Sequence, residues 1–132
     1  AGSTNDQYVC QTDILSTMAE LLEVSLPANA GEDSESFLAG MRGEPFDHGP
    51  LVHHSISGRF AVRDGRWKLL LPKGGPELYD LQNDLEESTN VIKSNPDIAE
   101  KLQQKLETII RNGRSTAGDP QPNVGGEDYT KW

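Results

Sequence analysis

A single cysteine occurs in 132 residues, so Cys10 has no partner for an internal disulfide, and no thiolate zinc site can be assembled. It reads as an inert packing residue. Apolar residues are also scarce, at 34%, below the usual share for a globular domain. The mean hydropathy of -0.61 and the 13 glycines describe a loop-rich chain. Its length suffices for one small domain with a modest core, and the composition suits a piece of a larger protein better than a self-sufficient unit. No apolar run is long enough to cross a bilayer, and there is no internal repeat. The opening residues Ala1–Asp6 are polar and lack the apolar stretch of a signal peptide. For a piece, that says nothing of where its parent works. Basic residues are outnumbered as well, 12 against 21 acidic, for a net charge of -9 and a pI near 4.7. An acidic chain repels phosphate backbones, which argues against nucleic acid as a partner.

The basic residues that are present cluster. Between Leu51 and Pro76, Arg59, Arg63, Arg66, Lys68 and Lys73 are opposed only by Asp64. That stretch suits a small anion, or else forms a solvated face.

Periodicity supplies the elements. Ile14, Leu15, Met18, Leu21 and Leu22 fall on one helical stripe after a Thr12 cap, with Asp13 in the first turn. A helix is expected over about 12–24, ended by Pro27, with Met18 filling a core. A short helical turn around Ser34 to Met41, capped by Ser34, is expected, anchored by Phe37, Leu38 and Met41. Leu51–Ile56 reads as a strand. Residues 59–63 and 66–71 read as a hairpin about a two-residue Asp64-Gly65 turn. That turn sets Arg63 opposite Arg66 and Val62 opposite Trp67. Alternation then gives Phe60, Val62, Trp67 and Leu69 one face, and Arg59, Arg63, Arg66 and Lys68 the other. Glu77–Leu81 suits one more strand. Asn95 or Ser94, Pro96 and Asp97 open a second helix over about 96–112, closed by Gly113. Its stripe is Ile98, Leu102, Leu106 and Ile109 or Ile110. The expected fold is α+β, a small antiparallel sheet with the C-terminal helix packed on one face.

Two segments together resemble the sulfatase family, whose fold is similar to alkaline phosphatase. The first is Asp13-Ile14-Leu15-Ser16-Thr17 running into the apolar helix, with Ser16 where that family usually has proline. The second is Phe60-Ala61-Val62-Arg63-Asp64-Gly65-Arg66-Trp67-Lys68-Leu69, then Leu78-Tyr79-Asp80-Leu81, Asp84, Glu86 or Glu87, and Asn90-Val91. This is similar to the family's C-terminal signature. Leu85 replaces its usual proline, and Val91 stands where leucine is common.

The resemblance implies a C-terminal sulfatase fragment. Residues 1–50 would end the large α/β domain, to which the N-terminal helix of this chain belongs. Residues 51–114 would form the C-terminal subdomain, and 115–132 a flexible tail. The parent family hydrolyses sulfate esters with a formylglycine, made within a C/S-x-P-x-R motif, and a calcium ion. Cys10 is followed by Gln11-Thr12-Asp13, so that motif is absent. Calcium and formylglycine are expected in the larger N-terminal part, and neither catalytic nor metal residues are assigned here. The chain is expected to be inactive alone, to partner the large N-terminal domain, and to lend His53, His54, Ser55, Arg59 and Arg63 to binding a sulfated small molecule or glycan. A histidine can bond a hydroxyl or sulfate, and an arginine can clamp two sulfate oxygens. Each histidine is also readable as a packing residue, and each arginine as a solvated surface charge. A periplasmic or secreted parent follows from the resemblance alone. Two other functions remain open at this point: a stand-alone binding module for anions or sulfated glycans, and a purely structural docking domain.

Overall fold

Four short strands form an antiparallel meander in the computed structural model, which describes residue 2 and residues 4–56 and 59–122. They are β1 (Leu51–His54), β2 (Phe60–Asp64), β3 (Trp67–Leu70) and β4 (Glu77–Asp80), in spatial order β1-β2-β3-β4. Ahead of them lie α1 (Ile14–Leu21), entered by a 3₁₀ turn at Gln11–Asp13, and the single turn α2 (Leu38–Met41). After them comes α3 (Pro96–Asn112). The architecture is α+β, with α3 on one face of the sheet, as the sequence indicates.

Alternation decides which face is dry. Val62, Leu69 and Leu78 form one cross-strand row. They are fully buried beneath Ala99, Leu102 and Leu106 of α3. Phe60, Trp67, Ile98 and Ile110 pack around this nucleus. α3 starts at Pro96 behind Asn95, whose side chain turns back to the Val91 carbonyl (3.1 Å) instead of capping the first turn. It ends at Gly113, at φ 62°, where two reversed N–H bonds run to Ile109 and Ile110.

The hairpin register differs from the expected one. Asp64 faces Trp67, Arg63 faces Lys68 and Val62 faces Leu69, so the two loop residues are Gly65 and Arg66. The expected pairing sets two guanidiniums opposite each other, which is unfavourable, and asks Asp64 to adopt positive φ. In the observed turn Gly65 takes the positive φ, 57°, and Arg66 is freed to reach Asp80. The slip is of two residues, so every side chain keeps its predicted face.

α1 overturns its expectation. Its polar side faces inward: Asp13 and Thr17 are fully buried. The Thr17 hydroxyl donates to the Asp13 carbonyl (2.7 Å) and accepts from the Phe37 N–H (3.1 Å). The apolar stripe faces out, from Met18 at 39% exposure to Leu22 at 69%. Met18 therefore fills no core within this chain. Thr12 is not the cap; the Asp13 carboxylate instead accepts from the Cys10 N–H. Ser34 does not cap α2 either, since its hydroxyl accepts from the Ser16 N–H (2.9 Å). Of the expected anchors, Leu38 is buried and Met41 exposed. The helix stops before Pro27 because Glu23 adopts φ 55°. Val24 N–H then bonds the Ala19 carbonyl, and Glu23 N–H that of Glu20, a Schellman ending with glutamate in glycine's place.

Residues 114–121 return to the N-terminal portion. The buried Arg114 guanidinium donates to the carbonyls of Ala28 and Asp119, and the Ser115 N–H donates to Asp33 (2.8 Å). The rest of the C-terminal segment, 123–132, lies outside the described residues.

Candidate functional site

The second face of the sheet carries the site. One cross-strand row runs His53, Ala61, Leu70, Glu77, about 14 Å across at the usual strand spacing. The small Ala61 leaves a depression in the middle of this row. The result is a cleft of about 470 Å³ floored by Ala61 and Leu70, with Glu77 on its β4 side. His53, His54, Ser55 and Arg59 line its β1–β2 end. Four of the five residues singled out from sequence thus meet in one place.

The fifth, Arg63, sits one row away. Its guanidinium lies over the Tyr8 ring at 4.2 Å, and its Nε donates to the Gly65 carbonyl (3.2 Å). His54 points to the helix side, where its ring lies 4.3 Å from that of Phe60. His53 lies on the open face. Partial burial, reinforced by the Lys68 and Arg63 charges, holds its pKa below the ordinary histidine value against an opposing pull from Glu87. A neutral imidazole can both donate and accept one hydrogen bond, which suits a hydroxyl group.

The basic residues of the hairpin are mostly occupied. Arg66 grips Asp80 with two parallel bonds, one of 2.7 Å. Lys68 pairs with Glu87, which itself sits at φ 55°. The uniformly cationic face foreseen from alternation is therefore largely neutralised. Neither Arg59 nor Arg63 is in an ion pair among the described residues, and of the two only Arg59 lines the cleft.

These pairings also explain the acidic signature after β4. Asp80 is held below the usual carboxylate range chiefly by Arg66, with Asn83 and the Gln82 N–H adding to it. Asp84 is held low by the N–H groups of Ser88 and Thr89. Asn90 accepts from the N–H of Leu78 (3.1 Å) and of Ile92 (3.0 Å). The motif wires the loop between β4 and α3. A depressed carboxylate contributes stability above its ordinary value, 3.8 for aspartate, that is lost as pH falls through the lower folded value. Asp84→Asn should therefore flatten the decline of stability below that point. Denaturant titrations from neutral to strongly acid pH check this, and parallel wild-type and variant profiles would refute it.

Beneath α1 lies a buried polar centre that sequence reasoning missed. His48 Nε2 is 2.9 Å from Asp13 Oδ2, and its Nδ1 meets the Gly49 carbonyl at 2.8 Å and Glu35 Oε2 at 3.7 Å. The other Asp13 oxygen accepts from the Glu35 N–H (3.1 Å). The Tyr8 hydroxyl donates to the His48 carbonyl and accepts from the Gly65 N–H, linking this centre to the hairpin turn. Every polar atom here has a nearby partner, so the centre reads as a structural clamp. Thirty-five residues separate Asp13 from His48, and no local pattern signals their meeting.

Among the described residues no three His, Cys, Asp or Glu side chains converge on a point where a metal could sit. Among the described residues no helix is long and apolar enough to cross a membrane.

No protein-family model matches the chain. Its relatives are nonetheless consistent in kind. It is 28% identical over 116 residues to an N-acetylgalactosamine-6-O-sulfatase of Bacteroides thetaiotaomicron, covering 75% of this chain and 23% of that protein. It is 29% identical over 150 residues to human arylsulfatase K, covering 100% of this chain and 27% of the relative. A solved Bacteroides thetaiotaomicron sulfatase, from a locus for metabolism of multiple glycosaminoglycans, superposes with a TM-score of 0.64 at 28% identity, covering 74% of this chain and 24% of that one. The chain thus spans about a quarter of the length of the curated relatives it matches. Matched in sequence and in fold to one portion of these enzymes, it belongs to the sulfatase family as a C-terminal piece of that fold.

Proposed function

We propose that this chain completes a sulfatase and edges its substrate pocket, while the bond-breaking groups reside in the larger domain. The gathering of His53, Ser55 and Arg59 at one end of the cleft carries this reading, with His54 beside them but its ring turned toward Phe60 on the helix side. Arg59 is the cation available there to clamp a sulfate, and neutral His53 suits a sugar hydroxyl. The substrate of the whole protein is then a sulfate ester on a saccharide, in keeping with the N-acetylgalactosamine-6-O-sulfatase among its relatives. Calcium and formylglycine, which a sulfatase uses, belong to the larger domain. Arg63, stacked on Tyr8, supports the hairpin beside the rim. The outward apolar stripe of α1 supplies the docking face for the larger domain, which supports a fragment over a stand-alone binding module.

Two results are expected. The 132-residue chain alone turns over no aryl sulfate. In the protein that includes the larger domain, Arg59→Ala raises KM by about tenfold, as befits loss of one charge-assisted bond to the substrate's sulfate. An unchanged KM, or turnover by the pure chain, would sink the reading.

A further inference from the structure

The two banks of the cleft carry opposite charge. At the β1–β2 end stands Arg59. At the β4 end stands Glu77, half-buried, whose Oε2 accepts from the Tyr79 hydroxyl at 2.9 Å. No cation lies within ion-pair distance of Glu77 among the described residues. The one lysine in the cleft, Lys68, is taken up by Glu87. Tyr79 is itself largely buried, so it holds the carboxylate in place at the cleft wall. The carboxylate is thus fixed, negative and not neutralised by a partner.

We propose that Glu77 is a specificity-determining residue: the cleft accepts a saccharide with one sulfate toward Arg59 and only uncharged substituents toward β4. This rests on reading the cleft as the pocket rim. An ionised carboxylate is an acceptor only, so it bonds sugar hydroxyls or an amide N–H and repels sulfates and carboxylates alike. Between the two banks, Ala61 and Leu70 present an apolar floor that suits the carbon face of a sugar ring, and neutral His53 completes the hydroxyl contacts. The class selected is a monosulfated neutral or N-acetylated sugar. A uronate or second sulfate over β4 is rejected.

The test is a titration of the 132-residue chain, followed by amide chemical shifts, with N-acetylgalactosamine-6-sulfate and with a disulfated counterpart. The monosulfated sugar should perturb His53, Ala61 and Glu77 and bind at least about tenfold more tightly than the disulfated one, the penalty for placing like charges together. Glu77→Gln should abolish the difference by admitting the disulfated sugar. Tyr79→Phe keeps the carboxylate and should preserve the preference, which guards against a misfolded Gln variant. Equal binding of both sugars by the wild type would overturn the role of Glu77 and leave the rim standing. If neither sugar perturbs the cleft, the rim reading falls and this inference with it.

Discussion

Replacing His48 with leucine is expected to destabilise the chain by about 3–5 kcal/mol, the cost of taking a hydrogen-bond partner from a buried carboxylate. Asp13 is wholly inaccessible and His48 nearly so. Without the imidazole, the carboxylate keeps only the Cys10 and Glu35 N–H groups, which places the loss toward the lower figure. Against a total stability of about 5–15 kcal/mol for a domain of this kind, that is a large fraction. The effect should concentrate on residues 8–50, since the pair joins the start of α1 to the loops at Glu35 and Gly49. Adding Asp13→Leu should recover only part of the loss, because the two backbone donors are then orphaned. Denaturant unfolding with hydrogen exchange checks both claims. A His48→Leu variant within 1 kcal/mol of wild type, a margin well under the cost of breaking such a pair, would show that the centre is not a clamp.

The triple change Leu15→Gln, Met18→Gln and Leu22→Gln is expected to leave the isolated chain's stability within about 0.5 kcal/mol, as for surface positions. Its association with the larger sulfatase domain should weaken about a hundredfold. The three side chains are 47%, 39% and 69% exposed. Covering what remains of each contributes about 1 kcal/mol, half the value for full burial, and about 1.4 kcal/mol corresponds to tenfold. Sedimentation of the chain mixed with a separately produced large domain reads the second effect. If the variant unfolds as though a core had been opened, the stripe packs internally and the docking face is misassigned. An unchanged association would place the contact elsewhere.

Local chemistry sufficed wherever a residue's neighbours in sequence are also its neighbours in space. Pro96 and Gly113 bound α3 as expected, because an N1 proline and a left-handed glycine act within one turn. The strand faces were legible too, since alternation has period two and survived a two-residue register slip. The early end of α1 was not legible, because Glu23 at positive φ is a choice that no local preference favours.

The apolar stripe of α1 was correctly located and wrongly turned. Periodicity identifies a stripe but not what covers it, and here the described residues leave it exposed while Asp13 and Thr17 are satisfied inside the chain. The basic hairpin residues were likewise found, but Asp80 and Glu87 hold two of them through contacts that sequence spacing does not reveal. Four cleft-lining residues could be named because they lie close together in sequence. Glu77 joined them only once three strand pairings had carried its row across the sheet. By itself the sequence determined the family, the elements and the faces, which depend on residue order and backbone sterics. Tertiary structure decided which charges remain available and which apolar surface stays uncovered, because both depend on partners brought together from distant parts of the chain.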